Sequence, residues 1–402
     1  MKLLMVNKFL YPAGGAETYL FQVGNYWKEK GAQVEYFGME HSGNVVGNRW
    51  GLYAKAVDFH RTGIKANAVN PLRLIRSRDA ARKIAAILRE FQPQVLHLNN
   101  FNYQLTPSIL EAAQAYRRES GRRLRIVYTA HDPQLVCPNH YLYDPGSRQV
   151  CERCLEGSYL ACVRTRCVHG SLPRSCLGAA EAAYWRKRRI YRVIDTILCP
   201  SQFMKRALDT DPLLASRTVV LRNFVRPVRK TAKEKGAYVL YFGRYSEEKG
   251  IKTLADACRA LPHIPFVFAG SGPLERRIAG MANVRNVGFL KGEALDQMIR
   301  GARFSVCPSE CNENCPFSVM ESIRNGTPVL GARRGGIPEL IREGETGWLF
   351  PAADGEALTE RIGRLWDSDE PEQMTEACQR ESFDTLEEYG EKLREIYGLE
   401  PV

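Results

Sequence analysis

The sequence contains no apolar run approaching the roughly 18–20 residues that a membrane-spanning helix needs. Its opening stretch, Met-Lys-Leu-Leu-Met-Val-Asn-Lys, is interrupted by Asn7 and Lys8. A secretory signal requires a longer apolar region and a small-residue cleavage site, so residues 2–6 read instead as a buried first strand. The expectation is a cytoplasmic location, where structural disulfides do not persist, despite twelve cysteines. Internal repeats and low-complexity tracts are also missing, so the chain is not a repeat array. No Gly-Lys-Ser/Thr follows the Gly14-Gly15 pair, which excludes a Walker A loop. No residue stands out as a covalent nucleophile.

What is present is a chain of 402 residues, 44% hydrophobic and 25% charged. That length exceeds one ordinary core and predicts two or three domains. Its charge is uneven. Residues 1–230 carry 36 Lys and Arg against 17 Asp and Glu, a balance of +19, while residues 231–402 carry 21 against 28, a balance of −7. Basic clusters fall at Arg73, Arg76, Arg78, Arg82 and Lys83, at Arg117 to Arg125, and at Arg186 to Arg192. Such a face suits an anionic membrane surface, an anionic lipid-linked substrate or nucleic acid. The bland alternative is a solvated surface that keeps the protein soluble.

Short β-rich runs alternate with amphipathic runs, which predicts open parallel sheets. Strands are expected at Lys2–Val6, Gln33–Phe37, Val95–Leu98, Arg125–Thr129 and Thr196–Cys199, with helices near 16–30, 104–118 and 177–193. The second part predicts strands at Tyr238–Phe242, Pro265–Ala269, Asn283–Val287, Phe304–Val306, Pro328–Gly331 and Gly347–Phe350. Helices are expected between them near 249–260, 273–281, 293–301, 316–325 and 354–366. The polar stretch Arg229–Gly236 marks the boundary between domains of 1–230 and 231–380, and residues 381–402 form a last amphipathic helix ending near Tyr397.

Residues 313–321 read Glu-Asn-Cys-Pro-Phe-Ser-Val-Met-Glu. Pro316 suits the first turn of a helix, because its missing N–H is not needed there, and Gly326 suits the left-handed closing position. Glu313 then precedes the helix and Glu321 lies within it. A helix N-terminus with unpaired N–H groups receives anions, and a carboxylate on either side can grip hydroxyls. The pattern matches a ligand built of hydroxyl, phosphate and hydroxyl parts, as a nucleotide sugar is. Two further segments suit anions. Ala13-Gly14-Gly15 follows a strand and precedes a helix, although such a pair alone is usually a turn. Tyr241–Gly250 places Arg244 and Lys249 at a strand's carboxyl edge, where open α/β sheets bind ligands. An Arg fork and a Lys point charge suit a diphosphate; pairing with Glu247 and Glu248 would leave them no such role.

In order along the chain stand Gly14-Gly15, the Gly-Arg-x4-Lys-Gly pattern of Arg244 and Lys249, Ala269–Pro273, Glu313-x7-Glu321, Gly335-Gly-Ile-Pro-Glu339 and Gly344–Gly347. The set resembles the group 1, family 4 retaining glycosyltransferases of GT-B fold. The resemblance covers nearly the whole chain and is most specific in its second half. It implies an α/β fold of two Rossmann-like parallel-sheet domains with a cleft between them, and transfer of a sugar from a nucleotide-sugar donor with retention. Arg244 and Lys249 would hold the diphosphate and stabilise the leaving group without a catalytic metal. Glu321 would bind the ribose. Glu313, helped by the N–H groups near Pro316, Phe317 and Ser318, would bind the donor sugar, and Asn286–Leu290, with Gly288 and Phe289, the base. Gly14 and Gly15 would meet the phosphates on closure, and the last helix would cross back to the first domain. His131, in Thr129-Ala-His-Asp132, stands where the family often places a histidine near the donor sugar; a lone histidine is otherwise more often structural. The leaving phosphate would assist attack on the same face. The acceptor would be a glycan or lipid-linked glycan of cell-surface polysaccharide synthesis, made at the inner face of the plasma membrane. Two departures stand out: Asn314-Cys315-Pro316 after the first glutamate, and Asn223-Phe-Val-Arg226 at the end of the first domain.

Six cysteines fall between 137 and 176, as Cys137, Cys151, Cys154, Cys162, Cys167 and Cys176. A Cys-x2-Cys knuckle with further cysteines nearby has zinc-ligand spacing, and a metal would supply the core this insert lacks. The resemblance favours Cys137, Cys151, Cys154 and Cys167 as ligands, with Cys162 an alternative to Cys137. Free thiols, a redox pair at Cys151 and Cys154 and an iron–sulfur cluster compete. A closed thiolate site would be structural. The insert belongs to the acceptor-facing domain and would shape its site. Rival functions are a sugar phosphorylase or nucleotide-sugar epimerase of the same fold and, from another class, a nucleic-acid-binding protein. The last gives no reason for Glu313 and Glu321.

Overall fold

Strand β1 (Lys2–Val6) is buried at four of its five residues. That is what a parallel strand covered on both faces requires. It lies between β2 (Gln33–Phe37) and β3 (Val95–Leu98). With β4 (Arg125–Thr129), β7 (Thr196–Cys199) and β8 (Thr218–Val220) they form a parallel sheet of order β2-β1-β3-β4-β7-β8. Val6 pairs with both Phe37 and Leu98, so three strands end level and Asn7, Gly38 and Asn99 emerge at one edge. Between β4 and β7 lies a small antiparallel hairpin, β5 (Tyr143–Asp144) with β6 (Gln149–Val150).

A second parallel sheet has the order β11-β10-β9-β12-β13-β14. Its strands are β9 (Val239–Arg244), β10 (Phe266–Ser271), β11 (Val284–Asn286), β12 (Phe304–Cys307), β13 (Val329–Ala332) and β14 (Gly347–Phe350). Helices Ile251–Ala260, Glu293–Arg300, Phe317–Arg324 and Gly355–Trp366 alternate with them.

This computed structural model describes residues 1–56, 71–147, 149–227 and 235–399. It divides into one unit of Met1–Leu221 with Leu386–Val402 and another of Arg222–Thr385. Most of the expected polar boundary Arg229–Gly236 lies outside the described residues. Each unit has its own core. The first packs Leu4, Val6, Leu96, Leu98, Ile126 and Tyr128 against helix residues such as Ile84, Leu88 and Ile109. The second packs Val239, Phe268, Val306 and Leu330 against Leu254, Val319 and Ile362. Among the described residues no helix is long and apolar enough to cross a membrane.

Several expected elements differ in extent. The first-unit helix expected at 104–118 starts at Ser108, because Thr106 takes a left-handed conformation before Pro107. The helix expected at 177–193 spans Leu172–Lys187 and breaks at left-handed Arg189. In place of a helix at 273–281 there is a single tight turn, Glu275–Arg277.

Candidate functional site

Strand β9 ends at Arg244, which is exposed, and the Tyr241 hydroxyl donates to the Arg244 carbonyl at 2.7 Å. The chain then makes a short turn, Glu247–Lys249, and enters the Ile251–Ala260 helix through Gly250 at φ +73°. A Cβ on Gly250 would stand 1.9 Å from the Pro308 carbonyl oxygen. Only glycine lets the loops after β9 and β12 approach so closely. The backbone N–H groups of Glu310 and Cys311 donate to the Glu248 carbonyl, which fastens the two loops together.

That fastening brings Lys249 and Glu313 into contact. Lys249 Nζ lies 2.5 Å from Glu313 Oε1, and the Ser309 hydroxyl donates to the same oxygen at 2.7 Å. Burial pulls the Lys249 pKa down, but the Glu313 carboxylate and its hydrogen bond outweigh it, and the net shift is upward. The ammonium is therefore fully charged at neutral pH. Glu313 is fixed from the other side by the Gly335-Gly336 pair. Gly336 N–H donates to the Glu313 carbonyl at 2.7 Å, and a Cβ on Gly335, at φ +53°, would stand 2.0 Å from that oxygen.

The helix after this loop runs Phe317–Arg324, with Pro316 as its extended N-cap, one position earlier than the sequence suggests. It has no side-chain cap, so its first N–H groups remain available to a ligand. Val319, Met320 and Ile323 bury its inner face, and Gly326 follows it at φ +76°. Glu321 lies one turn in. Burial raises its pKa to about 7; Arg226 opposes that rise and Asp296 adds to it. Arg226 reaches Asp296 at 3.4 Å. At the end of β11, the Asn286 side chain accepts from Gly288 N–H and from the Tyr245 hydroxyl, both at 3.0 Å. It shapes a turn that leaves Phe289 74% exposed. Arg244 thus ends a strand of one parallel sheet, and Lys249, Gly288, Phe289, Glu313, Pro316, Phe317, Ser318 and Glu321 follow the carboxyl ends of its strands, where such sheets bind ligands.

Gly14, Gly15 and His131 belong to the first unit. Gly14 is the extended N-cap of the helix Gly15–Glu29, again without a side-chain cap. Near it Glu17 is buried and accepts from Asn7 Nδ2 at 2.8 Å. His131 follows β4, and its Nε2 lies 2.8 Å from Asn99 Oδ1. Burial lowers the His131 pKa to about 3, so the ring is neutral. Burial also raises Asp132 to about 6.

Two family profiles match this chain. The one described as Glycosyltransferase Family 4 covers residues 13–229, and that of Glycosyl transferases group 1 covers residues 226–381. The chain belongs to glycosyltransferase family 4.

This family 4 chain is 34% identical over 150 residues to the sulfoquinovosyl transferase SQD2 of Arabidopsis thaliana, covering 36% of its own length and 29% of the relative's. It is 30% identical over 153 residues to the putative colanic acid biosynthesis glycosyltransferase WcaL of Escherichia coli K12, covering 34% and 37%. These matches span only about a third of the relatives' length. In fold, the family 4 chain resembles Anabaena Alr3699/HepE, solved in complex with UDP and glucose, with a TM-score of 0.67, 17% identity and 99% of both chains covered. It also resembles WaaG, a glycosyltransferase involved in lipopolysaccharide biosynthesis, with a TM-score of 0.63, 13% identity, and 98% and 100% covered. The fold is GT-B: two parallel-sheet units with interleaved helices.

In the cysteine insert of this family 4 chain the four expected thiolates come within electrostatic reach of one another, Cys137 with Cys154 and Cys167, and Cys154 with Cys151 and Cys167. Among the described residues no group of three or more His, Cys, Asp or Glu side chains could hold a metal ion. The Cys137 thiol donates to Asn139 Oδ1 at 2.9 Å, while the Cys167 thiol meets Cys162, outside the favoured set, at 2.9 Å. Contrary to expectation, the insert has a small core of its own. Cys154, Tyr159, Cys162, Cys167 and Ala179 pack into a small apolar cluster against the Leu172–Lys187 helix.

Sequence reasoning missed Ser309, Asn99 and Arg226, which hold or face Glu313, His131 and Glu321. Asn99 had a usable signal, a polar residue directly after a buried strand at the ligand-binding edge. Ser309 and Arg226 act through contacts that only the fold creates.

Proposed function

We propose that this chain transfers a sugar, with retention of configuration, from a nucleotide-sugar donor to a glycan or lipid-linked acceptor. The observation that carries the reading is the Lys249–Glu313 contact at the carboxyl edge of the second sheet, with Arg244 exposed at the end of β9 and an uncapped helix start after Glu313. Arg244 and Lys249 supply positive charge where a diphosphate gains negative charge as it leaves. In a partly dehydrated site this is the strongest contribution fixed charges make to a rate. Glu313, its backbone locked by Gly336, accepts from hydroxyls of the donor sugar. Glu321 accepts from the ribose hydroxyls, and the turn carrying Gly288 and Phe289 takes the base. The neutral His131 offers a hydrogen bond to a sugar hydroxyl rather than a charge. Gly14 and Gly15 open a second helix start suited to an anionic group. The UDP-glucose complex of the Anabaena neighbour makes uridine nucleotides the first donors to try. The relatives named for colanic acid and amylovoran biosynthesis support a role in cell-surface polysaccharide synthesis. The basic balance of residues 1–230 suits an acceptor at the anionic inner face of a cytoplasmic membrane.

A thermal-shift screen against UDP-, GDP- and ADP-sugars tests the reading, because a ligand that binds the folded state raises the melting temperature by mass action. One donor class should shift the wild type and lose its effect in Glu321→Ala. An equal shift in both proteins would contradict the donor site.

A further inference from the structure

Beneath His131 lies a chain of buried polar side chains that the proposed reaction does not use. Tyr19, on the Gly15–Glu29 helix, sets its ring edge-on to His131 with centroids 4.9 Å apart. Its hydroxyl hydrogen-bonds the Thr129 hydroxyl at 3.1 Å and the Tyr389 hydroxyl at 2.8 Å. Thr129 in turn bonds His97 Nε2 at 2.7 Å, and His97 Nδ1 bonds the Tyr397 hydroxyl at 2.6 Å. Tyr19, His97, Thr129 and Tyr389 are fully buried, and Tyr397 nearly so. Tyr389 and Tyr397 lie on the C-terminal helix Leu386–Tyr397, eight residues and so about two turns apart on one face. Sequence separations of 370 and 300 residues are closed in this one network.

An apolar core would hold this helix equally well, since buried hydrogen bonds add little net stability over good packing. What a satisfied polar network adds is a single arrangement of its members. His131 is fixed on two sides. Asn99 Nδ2 donates to the Val6 carbonyl at 3.2 Å, which turns Oδ1 toward His131 and requires the imidazole hydrogen on Nε2. The second constraint is the Tyr19 ring, whose own position is set by the two hydroxyl bonds.

We propose that Tyr19 is a positioning residue for His131, and that Tyr389 of the C-terminal helix holds Tyr19 in place. The last helix then orients an active-site ring as well as closing a core. The inference rests on the glycosyltransferase reading for the role of His131, but not for the geometry.

The test combines ring-nitrogen NMR of 15N-histidine-labelled full-length protein with turnover of the donor found by thermal shift. Tyr389→Phe and Tyr19→Phe each remove one hydroxyl and leave the rings. Both are expected to move or broaden the His131 signals while His41, on an exposed loop, keeps its own. Both should lower kcat on the order of tenfold with donor KM unchanged, the size that one buried hydrogen bond gives. In a His131→Ala background Tyr389→Phe should add no further loss. His131 signals unchanged in both variants would overturn the proposal, as would an undiminished Tyr389→Phe effect in the His131→Ala background. Full turnover by His131→Ala itself would instead remove the proposed role of His131, and the NMR result would still decide the positioning.

Discussion

At the scale of single residues, Glu321 shows how a buried carboxyl, here a proposed binding group, opposes stability. Its folded pKa is about 7 against an ordinary 4.5, with burial the main cause. A carboxyl raised in this way leaves the folded state worse off as pH climbs from about 4.5 to about 7, and the loss is constant above that. Glu321→Gln is therefore expected to stabilise the ligand-free protein at pH 8 by about 2 kcal/mol and to leave it unchanged near pH 4. Urea unfolding at the two pH values checks this; equal stabilities at pH 8 would contradict it. Donor binding should run the other way. On the proposal that the ionised carboxylate accepts the ribose hydroxyls, wild-type affinity should fall about tenfold from pH 8 to pH 6, with the dependence lost in Glu321→Gln.

At the scale of elements, the site is built by loops whose approach depends on glycine. Gly335→Ala would bring a methyl group within 2.0 Å of the Glu313 carbonyl in a left-handed conformation. The expected cost is about 2–4 kcal/mol, read by thermal unfolding, with donor turnover falling further than the folded fraction does. Loss of turnover in step with folding alone would show that Glu313 need not be held there. In the insert, Cys162 is 1% exposed and packed among apolar neighbours, whereas Cys151 lies partly exposed outside that cluster. Cys162→Ser should lower the melting temperature by several degrees, as a buried hydroxyl among apolar groups does, and Cys151→Ser should not. Equal losses at Cys137, Cys151, Cys154 and Cys167 would favour the four-thiolate site instead.

The elements also show what could be read from residues. First-unit strands such as Arg125–Thr129 were legible to the residue, since short β-rich runs bounded by breakers leave little freedom. The helix Arg78–Phe91 was not recognised, because its five buried positions from Ala80 to Phe91 are interleaved with the arginines that made the stretch look like a basic patch. Strand β8 was missed because three residues carry no period. The tight turn at Glu275–Arg277 replaced an expected helix because Leu274 N–H is held by the Tyr245 carbonyl, a tertiary contact that sequence does not display. In the candidate site the residue types and their order were legible. The Lys249–Glu313 contact, the Ser309 bond and the neutral state of His131 required the fold. In the insert, cysteine spacing looks the same whether thiols bind metal or fill a core, so residues alone do not choose between the two.

At the scale of the whole molecule, the C-terminal helix is part of the first unit although the chain reaches it last. Tyr389 and Leu393 are fully buried and Tyr397 is 2% exposed. They pack beside Tyr26 and Trp27 of the Gly15–Glu29 helix, with ring contacts such as Trp27–Tyr397 at 5.6 Å. Burying three such side chains contributes on the order of 5 kcal/mol, comparable with the whole stability of a domain. A chain ending at Thr385 is expected to lose the cooperative melting of the first unit while the second still melts. Calorimetry that gives unchanged transitions would contradict this. The uneven charge is a separate property of the whole chain, and it concerns what the first half attracts rather than how it folds.

The central claim is that one edge of the second sheet holds a nucleotide sugar through Lys249, Glu313 and Glu321. Isothermal titration of the best donor from the thermal-shift screen tests it most directly, in wild type and in Lys249→Ala, Glu313→Ala and Glu321→Ala. The account predicts affinity losses of at least about tenfold in Lys249→Ala and Glu321→Ala, from lost charge-assisted hydrogen bonds. Glu313→Ala should bind more nearly as wild type does but turn over more slowly. Donor binding at wild-type affinity in both Lys249→Ala and Glu321→Ala, with each variant folded, would contradict it.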